Sequence, residues 1–413
     1  MATTGKRQLR VLCVTQTPLK YEKFIDNTVR NLAEAGVDIG VLFTRRLPAE
    51  RTGLKTIRVA YDEMGTWNNL WLTLWLLIYL LSVFSKAFAP PFAEAIAEVA
   101  GWSRNGRAYG TSRVCRFLIA VWRCWRFSPD VIHVHFGWNL EAALPIAGVL
   151  NCPAVLTVHG SDVLMHDDWF RYLRDGRLKH IICVSRHLKA ALEASPAFCG
   201  FGGGVEVVHN GIDRLFFEDM NPAPGGIAIV CVAALRPLKN HEWLFRALKH
   251  LRDNGIDFRC SLVGGALAYA DYGEEKNKLA AIASDLGISD RIAFLGRVSA
   301  QEVRASLDAS SVLVLPSKSE GLPLCLIEAM ARKRAVVASD ISGCREATRD
   351  GRYGRLVQID DIPALAEAIV AQHAIVQQGC SVLDEARQYA LDEFSFDRCV
   401  ENLLRIYRSV SSE

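Results

Sequence analysis

Short runs of consecutive apolar residues alternate along this chain with longer segments whose apolar positions recur every three to four residues. The run LRVLCVT from Leu9 leads into a helical stretch over about 24–35, closed by Gly36, and then into VDIGVLFT. An unbroken apolar run is the mark of a strand buried on both faces, so this order predicts a βαβ unit in a parallel sheet. The same grammar recurs at DVIHVHF, PAVLTVH, HIICVS and VEVVHN, and one α/β domain is expected over about 1–215. Residues 217–227, FEDMNPAPGGI, join two Pro to two Gly and read as an interdomain connection. Beyond them IAIVCVAA, FRCSLVGG, RIAFLG, SVLVLPS and RAVVAS alternate with helical stretches such as 242–254 and 274–286, so a second doubly wound domain is expected over about 226–392. A terminal helix near 395–409, within 393–413, is expected to cross back to the first domain. Open parallel sheets bind ligands at the carboxyl ends of their strands, so two such domains are expected to face each other across a cleft.

Composition narrows the classes. The 413 residues are 50% hydrophobic and 23% charged, which excludes a disordered or fibrous chain and leaves a globular one. With 48 basic against 45 acidic side chains, the net charge of +3 is too even for the whole protein's field to attract nucleic acid. The 12 cysteines form no CxxC and fall mostly inside apolar runs, as free thiols in a reducing compartment do. MATTGKRQLR has no apolar stretch of a signal peptide, so a cytoplasmic location is expected.

The densest candidate chemistry lies in SVLVLPSKSEGLPLCLIEAMARKRAVVAS, residues 311–339. A strand ends at Leu315, a polar loop carries Glu320 and Gly321, and a helix is expected to open near Leu322 with Pro323 in its first turn. Backbone N–H groups and the positive dipole end at Gly321 and Leu322 suit a phosphate. The carboxylates of Glu320 and, about 12 Å further along at helical rise, Glu328 suit sugar hydroxyls. An isolated pair of this spacing is ordinarily a loop residue and a solvated helix position; the strand, loop and helix context makes this one less ordinary.

Here the chain resembles the retaining family 4 glycosyltransferases, which have the GT-B fold. The marks are HVHF at 133–136, HGSD at 159–162, VVHNGID at 207–213, LRPLKN at 235–240, LVGG at 262–265, FLGRV at 294–298, SEGLPLCLIEAM and SGCREAT at 342–348. The resemblance implies that Glu320 contacts the transferred sugar, Glu328 the nucleotide ribose and Lys239 the donor diphosphate. A cation in the loop after IAIVCVAA would also stabilise a departing phosphate. By the same comparison Arg297 lies near the nucleobase and Gly264 allows close backbone approach beneath the donor. The chain departs from the family pattern at Ala234, where an Arg is usual and Arg236 is the nearest one, and in the first loop, TQTPLKYE, which lacks the usual Gly pair.

His159 ends the strand PAVLTV, and the resemblance makes it a contact to the donor sugar or acceptor near the reacting carbon. His133 and His135 share one face of their strand, and either can be a packed histidine. No nucleophile with a paired base, H-E-x-x-H or convincing DxD signature stands out, so transfer without a metal or other cofactor is expected, with the nucleoside diphosphate sugar as donor substrate. The resemblance implies front-face displacement, in which the departing phosphate helps take the acceptor's proton.

Two segments concern the acceptor. Residues 65–85 carry no charge and place Trp71, Trp75 and Tyr79 at intervals of four; Arg104, Arg107, Arg113, Arg116, Arg123 and Arg126 follow in a stretch without acidic residues. Arg113, Arg116, Arg123 and Arg126 share one helical side opposite Val114, Phe117, Leu118, Val121 and Trp125, the pattern of a basic interfacial helix. Both segments equally fit ordinary helices packed under the first domain.

The expectation is therefore a GT-B enzyme on an anionic membrane surface, moving a hexose-like sugar to a lipid-linked or saccharide acceptor in polysaccharide or glycolipid synthesis. The alternatives are a transferase for a soluble acceptor and a non-catalytic nucleotide-sugar-binding protein.

Overall fold

The apolar runs form two parallel sheets in the computed structural model, which describes residues 8–15, 23–43, 56–57, 120–160, 163, 168–265 and 272–412. The chain divides into two compact units. The first comprises Met1–Val184, Leu188–Val208 and Val400–Glu413, the second Ser185–His187 and His209–Cys399.

The first unit holds seven strands: β1 (Arg10–Thr15), β2 (Asp38–Phe43), β3 (Thr56–Ile57), β4 (Val131–His135), β5 (Ala154–Val158), β6 (Leu178–Cys183) and β7 (Gly204–Val207). Their order is β3-β2-β1-β4-β5-β6-β7, and each neighbouring pair is parallel. Every residue of β4 and β5 is buried, as unbroken apolar runs require. The strand order reverses direction between β1 and β4, which marks the ends of those strands as the place for ligand chemistry.

The Phe396–Ser411 helix joins this unit from Val400 onward. Its Leu403, Ile406, Tyr407 and Val410 are buried, a spacing of three and four that makes one apolar stripe. Arg405 binds Glu206 of β7, and the Tyr407 hydroxyl bonds Nδ1 of His133 in β4 at 2.6 Å.

Of the segments expected to meet a membrane, 65–85 and the arginines at 104, 107, 113 and 116 lie outside the described residues. Residues 120–127 are helical; Ala120, Val121 and Cys124 are buried while Arg123 and Arg126 are exposed. Trp125, expected on the apolar side with Val121, is 37% exposed, because the narrow face that reaches the core is filled by Val121 and Cys124. Among the described residues no helix is long and apolar enough to cross a membrane.

The second unit holds β8 (Ile227–Val232), β9 (Phe258–Val263), β10 (Ile292–Gly296), β11 (Val312–Leu315), β12 (Ala335–Ser339) and β13 (Arg355–Val357), all parallel in the order β10-β9-β8-β11-β12-β13. The reversal here falls between β8 and β11. The His241–Asp253 helix, opening one residue before the expected 242, buries Trp243, Leu244, Phe245, Leu248 and Leu251 against the sheet.

The segment 217–227, expected as a connection, belongs to this unit. Phe216 is buried in the second core, and the fully buried Arg332 donates to the carbonyls of Glu218 at 2.7 Å and Asp219 at 2.9 Å while two further N–H groups meet Asp308. Arg334 donates to the Asn221 carbonyl at 2.6 Å. A backbone whose carbonyls are claimed by two buried guanidiniums is ordered structure, and Pro and Gly content alone does not reveal that.

Candidate active site

In the second unit the loops after β8 and β11 meet at the strand reversal. After β8 the chain makes a single turn, Pro237–Lys239, ended by Asn240 in the left-handed region at φ 52°. The Lys318 N–H donates to the Leu238 carbonyl at 2.9 Å, tying one loop to the other. Lys239 Nζ then donates to Glu320 Oε1 at 2.6 Å, with the two side chains 20% and 12% exposed. Two of the residues singled out in the sequence are thus brought together in a pair too sheltered to be an ordinary screened surface bridge.

Gly264, just past β9, has φ +153°, and a β-carbon there would stand 1.9 Å from the Ala233 carbonyl oxygen. Only glycine fits, so the backbones after β8 and β9 run in direct contact. Gly265 in turn lies against Arg297, past β10. Arg236 is exposed at the head of the Pro237–Lys239 turn.

Gly321 and Leu322 follow Glu320 but stand outside the helix, which spans Leu324–Ala331 and not the expected start near Leu322. Pro323 is its cap, with extended ψ of 97°, because its ring fixes φ without starting the hydrogen-bond ladder. The helix's dipole end therefore begins two residues later than expected, and Glu328 falls in its second turn. Around the pair, burial and then the Glu320 carboxylate hold the thiols of Cys325 and Cys344 well above the usual range, so both are protonated core groups and not nucleophiles.

Glu346, in the Ser342–Ala347 helix, is a residue to which the sequence assigned no role although it lies in SGCREAT. Its carboxylate accepts from the Arg186 N–H at 2.7 and 2.8 Å, the His187 N–H at 3.3 Å and His209 Nε2 at 3.0 Å. Burial alone would raise its pKa; the hydrogen bonds from His187, His209 and these N–H groups outweigh burial and hold it well below the usual carboxylate range. His209 lies in VVHNGID, so two quoted motifs meet here.

In the first unit His135 ends β4 and His159 follows β5, with His135 Nδ1 3.2 Å from His159 Nε2. Phe24 and Phe136 flank His159, each with ring centres 4.7 Å away. His133 Nε2 bonds Thr157 Oγ1 at 2.7 Å and its Nδ1 bonds Tyr407. His133 is thus a packed histidine of the kind left open from sequence. Burial pushes His133 and His159 down to about 3, and burial with the neighbouring His133 and His159 holds His135 well below its usual range, so all three are neutral at pH 7. Asp162 and residues 16–22 of the loop TQTPLKYE lie outside the described residues.

Cys13, His133 and His135 place donor atoms within 4.8 Å of one another. Both nitrogens of His133 are already bonded, and burial raises the Cys13 thiol to about 12, so the set offers a metal ion one imidazole and a protonated thiol.

Two doubly wound units, each a parallel sheet with one reversal of strand order, are the architecture of the GT-B fold. Residues 21–214 match the family model "Glycosyltransferase Family 4" and residues 226–373 "Glycosyl transferases group 1", and the chain belongs to this family of glycosyltransferases. It is 27% identical over 290 residues to an uncharacterized glycosyltransferase of Methanocaldococcus jannaschii, spanning 68% of this chain and 76% of that protein. A D-inositol 3-phosphate glycosyltransferase of Mycobacterium ulcerans is 30% identical over 314 residues, spanning 68% of this chain and 64% of that one. The fold superimposes on Anabaena HepE, solved in complex with UDP and glucose, with a TM-score of 0.68 at 16% identity, over 97% of this chain and 100% of that one.

Proposed function

We propose that this glycosyltransferase moves a hexose-like sugar from a nucleoside diphosphate sugar to a hydroxyl of a lipid-linked acceptor, retaining configuration and using no metal ion, in polysaccharide or glycolipid synthesis. The observation that carries the reading is the Lys239–Glu320 pair at the strand reversal of the second unit. An ammonium has three N–H donors; one meets Glu320, which leaves two for diphosphate oxygens. Glu320 is left with lone pairs for a sugar hydroxyl. In the proposed site Glu328 accepts from the ribose, Gly264 admits the nucleotide, Arg297 lies toward the base, and Gly321, Leu322 and Arg236 face the phosphates.

The step breaks the bond between the sugar's anomeric carbon and the phosphate oxygen, and the acceptor oxygen bonds that carbon from the same face. The acceptor's proton passes to the departing phosphate oxygen, whose growing negative charge Lys239 stabilises. The neutral His135 and His159 at the ends of β4 and β5 are consistent with hydrogen bonding to a sugar there and not with supplying a charge.

The inositol phosphate relatives favour a second reading, a soluble polyol phosphate as acceptor. One experiment addresses both. Thermal shift is measured with UDP, GDP, ADP and their sugars, a ligand at 100 times its Kd adding about 2.7 kcal/mol. Release of nucleoside diphosphate is then followed with a lipid-linked sugar or inositol phosphate as acceptor. A shift without turnover on either would leave a binding protein, and no shift with any nucleotide would remove the donor reading.

A further inference from the structure

The turn that carries Lys239 is held from two sides. On one, the Lys318 N–H meets the Leu238 carbonyl; on the other, the Asn240 side-chain Nδ2 donates to Asp360 Oδ1 at 3.2 Å. Asp360 lies 120 positions further along, in the turn that follows β13.

Asn240 ends the Pro237–Lys239 turn and opens the His241–Asp253 helix, where an asparagine ordinarily turns its side-chain oxygen onto the first N–H groups from an extended backbone. It makes no such cap, and its backbone is left-handed, at φ 52° and ψ 42°. Its amide goes to Asp360 instead. Asp360 is built to meet it. The turn Gln358–Asp361 is closed by the Asp361 N–H on the Gln358 carbonyl at 3.2 Å, and Asp360, its third residue, has φ 67°. Glycine is the usual occupant of such a position, and Asn and Asp are the side chains that bear it best. The chain thus carries a carboxylate where a glycine would fit with less strain, and that carboxylate holds Asn240. Asp361 caps the Ile362–Gln377 helix, which packs against the His241–Asp253 helix. The bond therefore ties together the opening ends of two packed helices, and Lys239 is the residue just before the tie.

We propose that Asp360 is a positioning residue, which holds Asn240 so that Lys239 stands at Glu320 as the donor's phosphate departs. This rests on the reading of Lys239 as the cation on the donor diphosphate, and it deepens that reading by naming what keeps the cation in place.

Asp360→Gly removes the carboxylate and suits φ 67°, so the fold is kept. With the donor and acceptor identified above, its kcat is expected to fall about 3- to 10-fold, the worth of one hydrogen bond, while the Kd of nucleoside diphosphate and the denaturant midpoint change little. Asp360→Asn, whose amide oxygen accepts the same bond, is expected to recover most of that loss. In the Lys239→Ala background Asp360→Gly should lower turnover no further, because the residue acts through Lys239. Apart from turnover, proton–nitrogen NMR of the full chain should show the Asn240 side-chain amide and the Lys239 backbone amide shifted together in Asp360→Gly. An unmoved Lys239 signal overturns the proposal, as does wild-type kcat in Asp360→Gly, or a loss that persists in full in the Lys239→Ala background. If Lys239→Ala is impaired while Asp360→Gly is not, this inference falls and the donor reading stands. Lys239→Ala with wild-type kcat would sink both.

Discussion

A β-carbon on Gly343 would stand 2.4 Å from the carbonyl oxygen of Glu320 and 3.2 Å from its β-carbon. The first turn of the Ser342–Ala347 helix is therefore the surface on which the Glu320 loop rests, and its lack of a side chain sets where the carboxylate meets Lys239. Gly343→Ala is expected to push that loop aside, because the clash is with backbone and not with a flexible side chain. The expected result is a fall in kcat of about 100-fold, as for a misplacement of about 1 Å at a reacting centre. Donor-sugar turnover and circular dichroism check it; a folded variant with wild-type kcat would show that the loop adapts.

How much of this was open to sequence reading follows from how far apart the partners lie. The strands were legible because burial on both faces writes an unbroken apolar run, as in Val131–His135 and Ala154–Val158. The loop positions of Lys239 and Glu320 and the helical position of Glu328 were legible because each follows an apolar strand run in the sequence. The contact of His135 with His159, the seat of Glu320 on Gly343 and the grip of Arg332 on the carbonyls at 218 and 219 were not. Each joins residues more than twenty positions apart, and no local pattern of apolar and polar residues encodes such a pairing. The helix start was missed by two residues for a local reason: Pro323 fits both a first helical position and a cap.

Lys239→Ala is expected to lower turnover more than nucleoside diphosphate affinity, since its charge matters most as the phosphate departs. Glu320→Gln alone and the double variant complete a cycle, and a coupling of about 0.5–3 kcal/mol is expected for residues in direct contact. Additive losses would mean that the 2.6 Å pair has no role in catalysis. Chelator is expected to leave the wild-type rate unchanged; loss restored by a divalent ion would overturn metal-free transfer.

Glu328→Gln keeps the shape of the side chain and removes its charge. Nucleoside diphosphate affinity is expected to fall by about 1–3 kcal/mol, the range for a hydrogen bond to a charged acceptor. Titration calorimetry with the free diphosphate measures it, and an unchanged Kd would take Glu328 out of the donor site.

His133 links stability to pH. It is 1% exposed and pushed by burial to about 3, whereas in the unfolded chain it takes a proton near 6.5. Its folded pKa is lowered, so as pH falls below about 6.5 the unfolded state binds a proton that the folded state refuses. Stability is then lost at up to about 1.4 kcal/mol per pH unit until about pH 3, and above 6.5 the effect vanishes. Denaturant melts of wild type and His133→Gln at pH 7.5, 6 and 5 separate the outcomes. The variant should lose less stability on acidification, even if it starts lower for want of its bonds to Thr157 and Tyr407. Parallel slopes would show that His133 takes up its proton as readily in the fold as in the unfolded chain.

Membrane docking can be tested on the described end of the basic segment. Residues 120–127 bury Val121 and Cys124 while presenting Arg123, Arg126 and the partly exposed Trp125, two cations beside an aromatic ring suited to headgroup depth. Arg126 also lies over the Trp122 ring at 5.3 Å, which keeps a second indole at this surface. Each arginine near anionic lipid contributes about 1 kcal/mol, so Arg123→Ala with Arg126→Ala is expected to weaken binding about 30-fold at low salt. The measurement is flotation of the full protein with vesicles of phosphatidylcholine alone or with added phosphatidylserine, at low and high salt. Wild-type protein should float only with the anionic vesicles and release as salt screens the charges. Wild-type protein that stays unbound at low salt, yet glycosylates a soluble polyol phosphate, would decide for the second reading of the acceptor.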